Sequence, residues 1–125
     1  MGQGYLVDTN AIIDYLENRL PAKTNKLIEN LPIQMSVISR MEILAWQKAS
    51  DSQLNFLKAF ISASVVFNLD ENIILKSIEI RKKYRLKLPD AIIAATAVSN
   101  NLHLLTRNTK DFTRVSELEC TDPYK

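Results

Sequence analysis

Cysteine and histidine are almost missing from this sequence, which contains one of each in 125 residues. Cys120 has no partner within the chain, so an internal disulfide is excluded, and we expect this residue to be a small apolar filler. His103 lies inside a predicted buried strand, where a structural role is expected rather than an acid–base role. Chemistry that depends on paired Cys or His side chains is therefore not indicated.

Long hydrophobic runs are also missing. The longest apolar stretches are too short to cross a bilayer, and no apolar secretion segment follows Met1. A myristoylation signal would need Ser or Thr at position 6, where the chain has Leu6. Without linkers, repeats or low-complexity segments, 125 residues suit one domain with a single sizeable core. We therefore expect one soluble, cytoplasmic domain over residues 1–125.

A strong excess of one charge is absent too, because 16 basic residues face 14 acidic ones and the net charge is +2. The total alone does not indicate a nucleic-acid-binding protein. Five of the cations, however, lie within residues 81–87. Such a cluster could contact the phosphates of a nucleic acid, or it could remain solvated at the C-terminal end of a helix. Arg107 and Lys110 are weaker candidates for the phosphate contact.

Two periodicities alternate along the chain. Short apolar runs predict strands, and apolar residues spaced three or four apart predict helices. Alternating elements of this kind favour a parallel sheet covered by helices, which is an α/β fold. The predicted strands are residues 4–8, 33–36, 64–68 and 102–106, and the predicted helices are residues 11–18, 22–30, 37–49, 51–62, 71–85 and 89–100.

Asp8 and Asp111 each follow a predicted strand. Asp8 ends an apolar run and precedes a helical pattern, which is the kind of strand-to-helix turn where open α/β sheets bind ligands. Asp8 could instead only cap the first helix. Asp111 comes after residues 102–106 and a polar turn, and an isolated turn aspartate is usually structural.

Glu42 and Asp90 are acids in apolar surroundings. The helix neighbours of Glu42 are mostly apolar, and because an unpaired buried charge costs several kcal/mol, its carboxylate should reach solvent or a cation. The structural alternative is that Glu42 lies at the edge of the helix and forms an ion pair with Arg40 or Lys48. Asp90 follows Pro89 in the first turn of an otherwise apolar helix, where an acid gains from the helix dipole. We expect Asp90 to be largely buried.

Four segments stand in the order and spacing of one known family. They are VDTNAII at residues 7–13, the helix that carries Glu42, LPDAIIAA at residues 88–95 and TRNTKDF at residues 106–112. Together they resemble a PIN domain, and in particular the toxins of the VapC type. The resemblance spans nearly the whole chain, and the ending at residues 122–124 is also similar.

The resemblance implies a three-layer α/β/α fold with a central parallel sheet and a metal-dependent endoribonuclease activity. The positions that match the family's catalytic acids are Asp8, Glu42, Asp90 and Asp111. Asp8, Asp90 and Asp111 would hold the metal, while Asn108 occupies a position that carries an acid or an amide in the family. Asn108 could therefore contact the metal in place of Asp111 or beside it. Thr9 matches a hydroxyl near the metal.

Carboxylates suit this chemistry because Mg²⁺ and Mn²⁺ prefer hard oxygen ligands in octahedral geometry. With one metal, a free carboxylate could deprotonate the attacking water, whereas two metals would share the tasks. The sequence leaves both arrangements open. Clustered acids also repel each other, so at least one should have a raised pKa without metal, and metal should stabilise the fold.

The partners implied by the resemblance are an RNA substrate, a second copy of the chain and an antitoxin whose C-terminal segment lies in the acidic cleft. No membrane partner is expected. Four aromatic residues are expected in the core or at a subunit interface rather than as base-stacking platforms: Trp46, Phe56, Phe60 and Phe67.

Three alternatives remain beside a toxin nuclease. The chain could be a PIN nuclease of RNA processing, or a catalytically silent PIN module that acts through protein or RNA contacts. A receiver domain of similar length would need adjacent acids after its first strand, whereas Asp8 stands alone there. A short antitoxin gene beside this one would favour the toxin.

Overall fold

The computed structural model describes residues 4–124. Residues 1–3 and 125, which the predicted domain includes, lie outside that part. Within it the strands are β1 (Tyr5–Val7), β2 (Gln34–Ser36), β3 (Val65–Phe67), β4 (His103–Leu105) and β5 (Cys120–Thr121). The helices are α1 (Thr9–Leu16), α2 (Ala22–Glu29), α3 (Val37–Leu44), α4 (Asp51–Ser62), α5 (Glu71–Tyr84), α6 (Leu88–Ser99) and α7 (Thr109–Phe112).

Every strand pair in the described residues is parallel. One hydrogen-bonded ladder has the order β1-β4-β5, and a second joins β2 to β3. β2 lies beside β1, where Gln34 Nε2 donates to the carbonyl oxygen of Tyr5 at 3.1 Å. The predicted parallel α/β fold is thus confirmed, but a side-chain bond rather than a backbone ladder links the two halves of the sheet.

The sheet is covered on both faces. Successive residues of a strand point to opposite sides, so Leu6 and Leu104 enter one apolar core while Val7 and Leu105 enter the other. The first core packs against α5 and α6, and the second against α1 to α4. This arrangement is the expected three-layer α/β/α architecture.

Local signals account for most element boundaries. The α4 helix has the predicted bounds because Ser50 and Gln53 form a capping box at its start. The α3 helix ends at Leu44, five residues before the predicted end. The short elements α7 and β5 were not predicted, since four and two residues carry too little periodicity to be recognised.

The basic cluster at residues 81–87 forms the corner between α5 and α6. The α5 helix ends at Tyr84, and Arg85 turns the chain in a left-handed conformation with φ of 56°. Arg81 Nη1 donates to the carbonyl oxygen of Leu86 at 2.8 Å, which stabilises the turn. Lys87 then occupies the N-cap of α6, so the corner leads to Asp90. Among residues 4–124, no helix combines the length and apolar character needed to span a membrane.

Candidate active site

The parallel register places Asp8 beside Thr106. Val7 pairs with Leu105, and Asp8 N donates to the carbonyl oxygen of Leu105 at 3.0 Å. Thr106, which directly follows β4, is fully buried, and its hydroxyl donates to Asp8 Oδ2 at 2.8 Å. Thr9 N donates to Asp8 Oδ1, also at 2.8 Å, so Asp8 caps α1 as well. Both oxygens of this carboxylate are therefore fixed by neutral donors.

Burial raises the pKa of Asp8 above its ordinary value of 3.8. The hydrogen bonds from Thr106 and Thr9 oppose this rise, and the charge of Glu42 adds to it. The ionised form of Asp8 is therefore destabilised in the metal-free protein, because the two hydrogen-bond donors do not fully replace the water lost on burial. A cation beside Asp8 would remove that destabilisation.

Glu42 is exposed to solvent, and its carboxylate faces α1. The Thr9 hydroxyl lies 2.6 Å from Glu42 Oε1 and 2.9 Å from Ser39 Oγ. One hydroxyl carries one proton, and a carboxylate can only accept, so Thr9 donates to Glu42 and Ser39 can donate to Thr9. In the described part of the chain, Glu42 forms no ion pair with Arg40 or Lys48.

Asp90 lies in the first turn of α6, half-buried at the mouth of the site. The expectation that it would be largely buried was wrong, because full burial of the helix begins one residue later, at Ala91. Burial raises the pKa of Asp90, and the charges of Asp8, Asp111 and Glu42 raise it further. The structure therefore brings the other three predicted acids within electrostatic reach of Asp90.

Asp111 has different partners. Asn108 Nδ2 donates to Asp111 Oδ2 at 3.0 Å, and Arg114 Nη2 donates to Oδ1 at 2.8 Å. The hydrogen bond from Asn108 lowers the pKa of Asp111, and Arg114 lowers it further. The two residues that the sequence left as alternative metal ligands are thus bonded to each other.

The carboxylates that act on Asp90 are hard oxygen ligands, which is the ligand type that Mg²⁺ prefers. Among residues 4–124, no three His, Cys, Asp or Glu side chains converge closely enough to enclose a metal ion. Mg²⁺ does not need such a group, since it keeps several waters and binds through one or two carboxylates. Burial and the charges of the neighbouring acids raise the pKa of Asp90, and a divalent cation would relieve this excess of negative charge.

Comparison with known proteins identifies the family. Residues 5–118 match the PIN domain. The chain belongs to the PIN-domain family, in its VapC group of nucleases. Ribonuclease VapC19 from Mycobacterium tuberculosis is 32% identical to it over 128 residues, which cover 95% of this chain and 98% of the relative.

Two further comparisons agree with this assignment. Ribonuclease VapC from Rickettsia bellii is 36% identical over 69 residues, 54% of this chain, and the match spans only 44% of that relative's length. A solved toxin–antitoxin complex from Klebsiella pneumoniae contains a chain that is 34% identical, with a TM-score of 0.79 and coverage of 98% of this chain and 99% of that one. The predicted family, nuclease class and fold are confirmed.

Two residues of the candidate site were not recognised in the sequence. Thr106 links Asp8 to the following loop, since its hydroxyl also accepts from Asn108 N at 3.0 Å. Arg114 stands three residues after Asp111, just past the end of α7, and opposite charges can meet at this spacing, which was the available signal. Thr106 gave no comparable signal because its partner Asp8 is 98 residues away.

Asp14 was also missed. The residue is 5% exposed, and its Oδ2 has no hydrogen-bond partner among the described residues. The nearest cation is Arg107, whose Nη2 lies 3.6 Å from that oxygen and whose guanidinium faces the Tyr124 ring at 5.4 Å. Arg107 therefore fastens the loop after β4 to α1, which argues against its use as a free phosphate contact.

The remaining sequence candidates have mixed outcomes. Phe60 and Phe67 pack against the cores, whereas Trp46 and Phe56 are 47% and 59% exposed and line a cavity of about 770 Å³ that begins at Glu42. His103 contacts Thr121 and Glu119 within and beside the sheet, so its predicted structural role agrees with the geometry. Cys120 is half-buried, and burial raises the pKa of its thiol.

Proposed function

We propose that this PIN domain is an endoribonuclease that depends on Mg²⁺ or Mn²⁺ and acts as the toxin of a toxin–antitoxin pair. The observation that carries the proposal is Asp90, whose carboxylate is half-buried and is repelled by the charges of Asp8, Asp111 and Glu42. The relatives named ribonucleases and the related chain in a toxin–antitoxin complex support the substrate class and the role.

Asp8 and Asp90 would hold the cation, and Asp111 or Asn108 would complete the set. When bound, the cation supplies Lewis-acid stabilisation of the phosphate and orients a water for attack. Thr106 and Thr9 keep the Asp8 carboxylate in one orientation through two short hydrogen bonds. A fixed ligand lowers the entropic cost of assembling the site.

Glu42 is the carboxylate best placed to accept a proton from the attacking water. It is exposed, keeps one oxygen hydrogen-bonded to Thr9, and faces the charge of Asp90. An exposed carboxylate can pass the proton on to solvent, as a general base must between turnovers. Thr9 then serves as the positioning hydroxyl for this base.

RNA would reach the acids along the basic corner. Residues 82, 83, 85 and 87 are exposed there, and Lys87 lies close enough to Asp90 to lower its pKa slightly. Cations next to an acidic site hold flanking phosphates that the acids themselves would repel. The RNA sequence that is cut would be chosen by surface shape around the site.

Two protein partners follow from the same proposal. A segment of the antitoxin would enter the cleft at Glu42, where Trp46 and Phe56 offer exposed aromatic surface. A second copy of the chain would cover apolar residues on α5, since Leu75 and Ile78 are exposed there. Large exposed apolar side chains in a group mark interaction surfaces.

The test is cleavage of RNA by purified protein, with the new ends mapped by sequencing. Cleavage should require Mg²⁺ or Mn²⁺, stop in EDTA and vanish in Asp8→Asn. Either metal should also raise the melting temperature, because binding at a hundredfold excess over Kd adds about 2.7 kcal/mol of stability. Metal-independent cleavage, or an equal melting shift in Asp8→Asn, would place the activity or the metal elsewhere.

A further inference from the structure

The Arg114 side chain stands where a cation beside Asp111 would stand. Its Nη2 lies 2.8 Å from Asp111 Oδ1, and its Nη1 lies 3.5 Å from the carbonyl oxygen of Tyr84. The guanidinium thus joins the end of α7 to the basic corner. No other basic side chain in the described residues forms an ion pair with an acid of the proposed site.

A charged donor affects metal binding differently from a neutral one. Each carboxylate oxygen has two lone pairs, so the hydroxyl and backbone donors on Asp8 leave room for a cation and leave the charge of Asp8 in place. The guanidinium instead neutralises Asp111 and repels a divalent cation that approaches the same oxygen. A cation can therefore reach Asp111 Oδ1 only when Arg114 moves away.

Such a movement is feasible because the pair is exposed. The side chains of Arg114 and Asp111 are 49% and 38% exposed, and exposed ion pairs are weak because water replaces each partner. The hydrogen bond from Asn108 can hold Asp111 during the exchange, since it uses the other oxygen.

We propose that Arg114 is a placeholder cation, which neutralises Asp111 in the metal-free protein and leaves it when a divalent cation binds beside Asp8 and Asp90. The released guanidinium remains next to the carbonyl of Tyr84, at the edge where residues 81–87 would hold phosphate. Metal binding would thereby free a further cation for the substrate. This inference rests on the proposed metal site.

The experiment compares Arg114→Gln with Lys110→Gln in a Mn²⁺ titration followed by thermal melting. Lys110 is the matched control, because it is next to Asp111 on α7 and its charge also lowers the pKa of Asp111, but it donates no hydrogen bond to that residue. Arg114→Gln should lower the midpoint Mn²⁺ concentration by about two- to fivefold, the usual strength of an exposed ion pair. Lys110→Gln should change it by less than about twofold.

Equal midpoints for the two variants would mean that net charge alone acts, and would overturn the inference. A higher midpoint in Arg114→Gln would also overturn it, because Arg114 would then position Asp111 for the metal. A wild type without any Mn²⁺-dependent shift would refute the metal site itself. Should Arg114→Gln fail to fold in EDTA, Arg114→Lys keeps the charge but loses the forked donor, and its midpoint should lie between wild type and the expected value.

A crystal structure of the Mn²⁺-loaded wild type gives a second measurement. Arg114 Nη2 should lie beyond hydrogen-bond distance of Asp111 Oδ1, with the metal or one of its waters in that place. Retention of the 2.8 Å contact with Mn²⁺ bound would overturn the inference.

Discussion

Asp8 and Asp111 are the same residue type on the same edge of the molecule, yet their carboxylates have opposite surroundings. Asp8 is partly buried between neutral donors, and burial raises its pKa. Asp111 is more open, and Asn108 and Arg114 lower its pKa. The Asp8 carboxylate has no cation beside it among the described residues, whereas the charge of Asp111 is compensated by Arg114. We therefore expect Asp8 and Asp90 to dominate metal binding, with Asp111 in a weaker role.

The largest effect is expected from removing charge on the Asp8 side. Asp8→Asn and Asp90→Asn should each reduce RNA cleavage by at least about 1000-fold, or about 4 kcal/mol of transition-state stabilisation, because an amide keeps the shape but not the charge. The rate is measured on a defined RNA under excess Mg²⁺. Near wild-type cleavage by a well-folded Asp90→Asn protein would refute the site.

Asp111 and Asn108 should give a smaller and ordered effect. If Asp111 is the further ligand, Asp111→Asn should lower the rate by about 10- to 100-fold, and Asn108→Ala should cost less, since an outer contact is lost. The Mg²⁺ dependence of both variants is measured with the same RNA. The reverse order would assign the fourth ligand to Asn108.

Replacing Asp90 or Asp111 by Asn should change the stability of the metal-free protein in EDTA in different directions. The pKa of Asp90 is raised above 3.8, so the folded state binds this proton more tightly than the unfolded chain. Its contribution to stability is present at low pH and is lost as the pH rises through the raised pKa. At pH 7, Asp90→Asn should therefore raise the melting temperature of the metal-free protein.

The same linkage has the other sign at Asp111. Its pKa is lowered, so its contribution is present above 3.8 and is lost as the pH falls through the lowered pKa. Asp111→Asn should leave the melting temperature unchanged or lower it slightly at pH 7. The gain in Asp90→Asn should also shrink as the pH approaches 3.8. A gain of equal size in both variants would show that the two environments do not differ as described.

The basic corner should give the smallest effect on stability and a graded effect on RNA affinity. Changing Lys82, Lys83 and Arg85 together to Gln should barely alter melting, because exposed cations contribute little. In an Asp8→Asn background, each lost phosphate contact should reduce the salt slope of single-stranded RNA affinity by about 0.7. Lys87 is kept because its charge acts on Asp90.

A charge-matched control replaces Lys23, Lys26 and Lys58 with Gln. These residues are exposed on α2 and α4, away from the corner. An equal change of salt slope in both triple variants would show that RNA binding responds only to net charge, and that the corner is a solvated helix end.

The sequence by itself determined the elements and the acids. Caps and periodicity are local, so the bounds of α4 and the strand-end position of Asp8 could be predicted from neighbouring residues. The short elements α7 and β5 escaped prediction for the same reason, since they have too few neighbours to form a pattern.

Only the tertiary structure decided what each acid experiences. The register of β1 on β4 places the Thr106 hydroxyl on Asp8 across 98 residues, and α1 meets α3 so that Thr9 reaches Glu42 across 33. Burial and the distances between charges set the pKa of Asp8 and Asp90, and neither quantity is local in the chain. The type and order of the carboxylates are therefore properties of the sequence, whereas the burial and electrostatic surroundings of each carboxylate are properties of the fold.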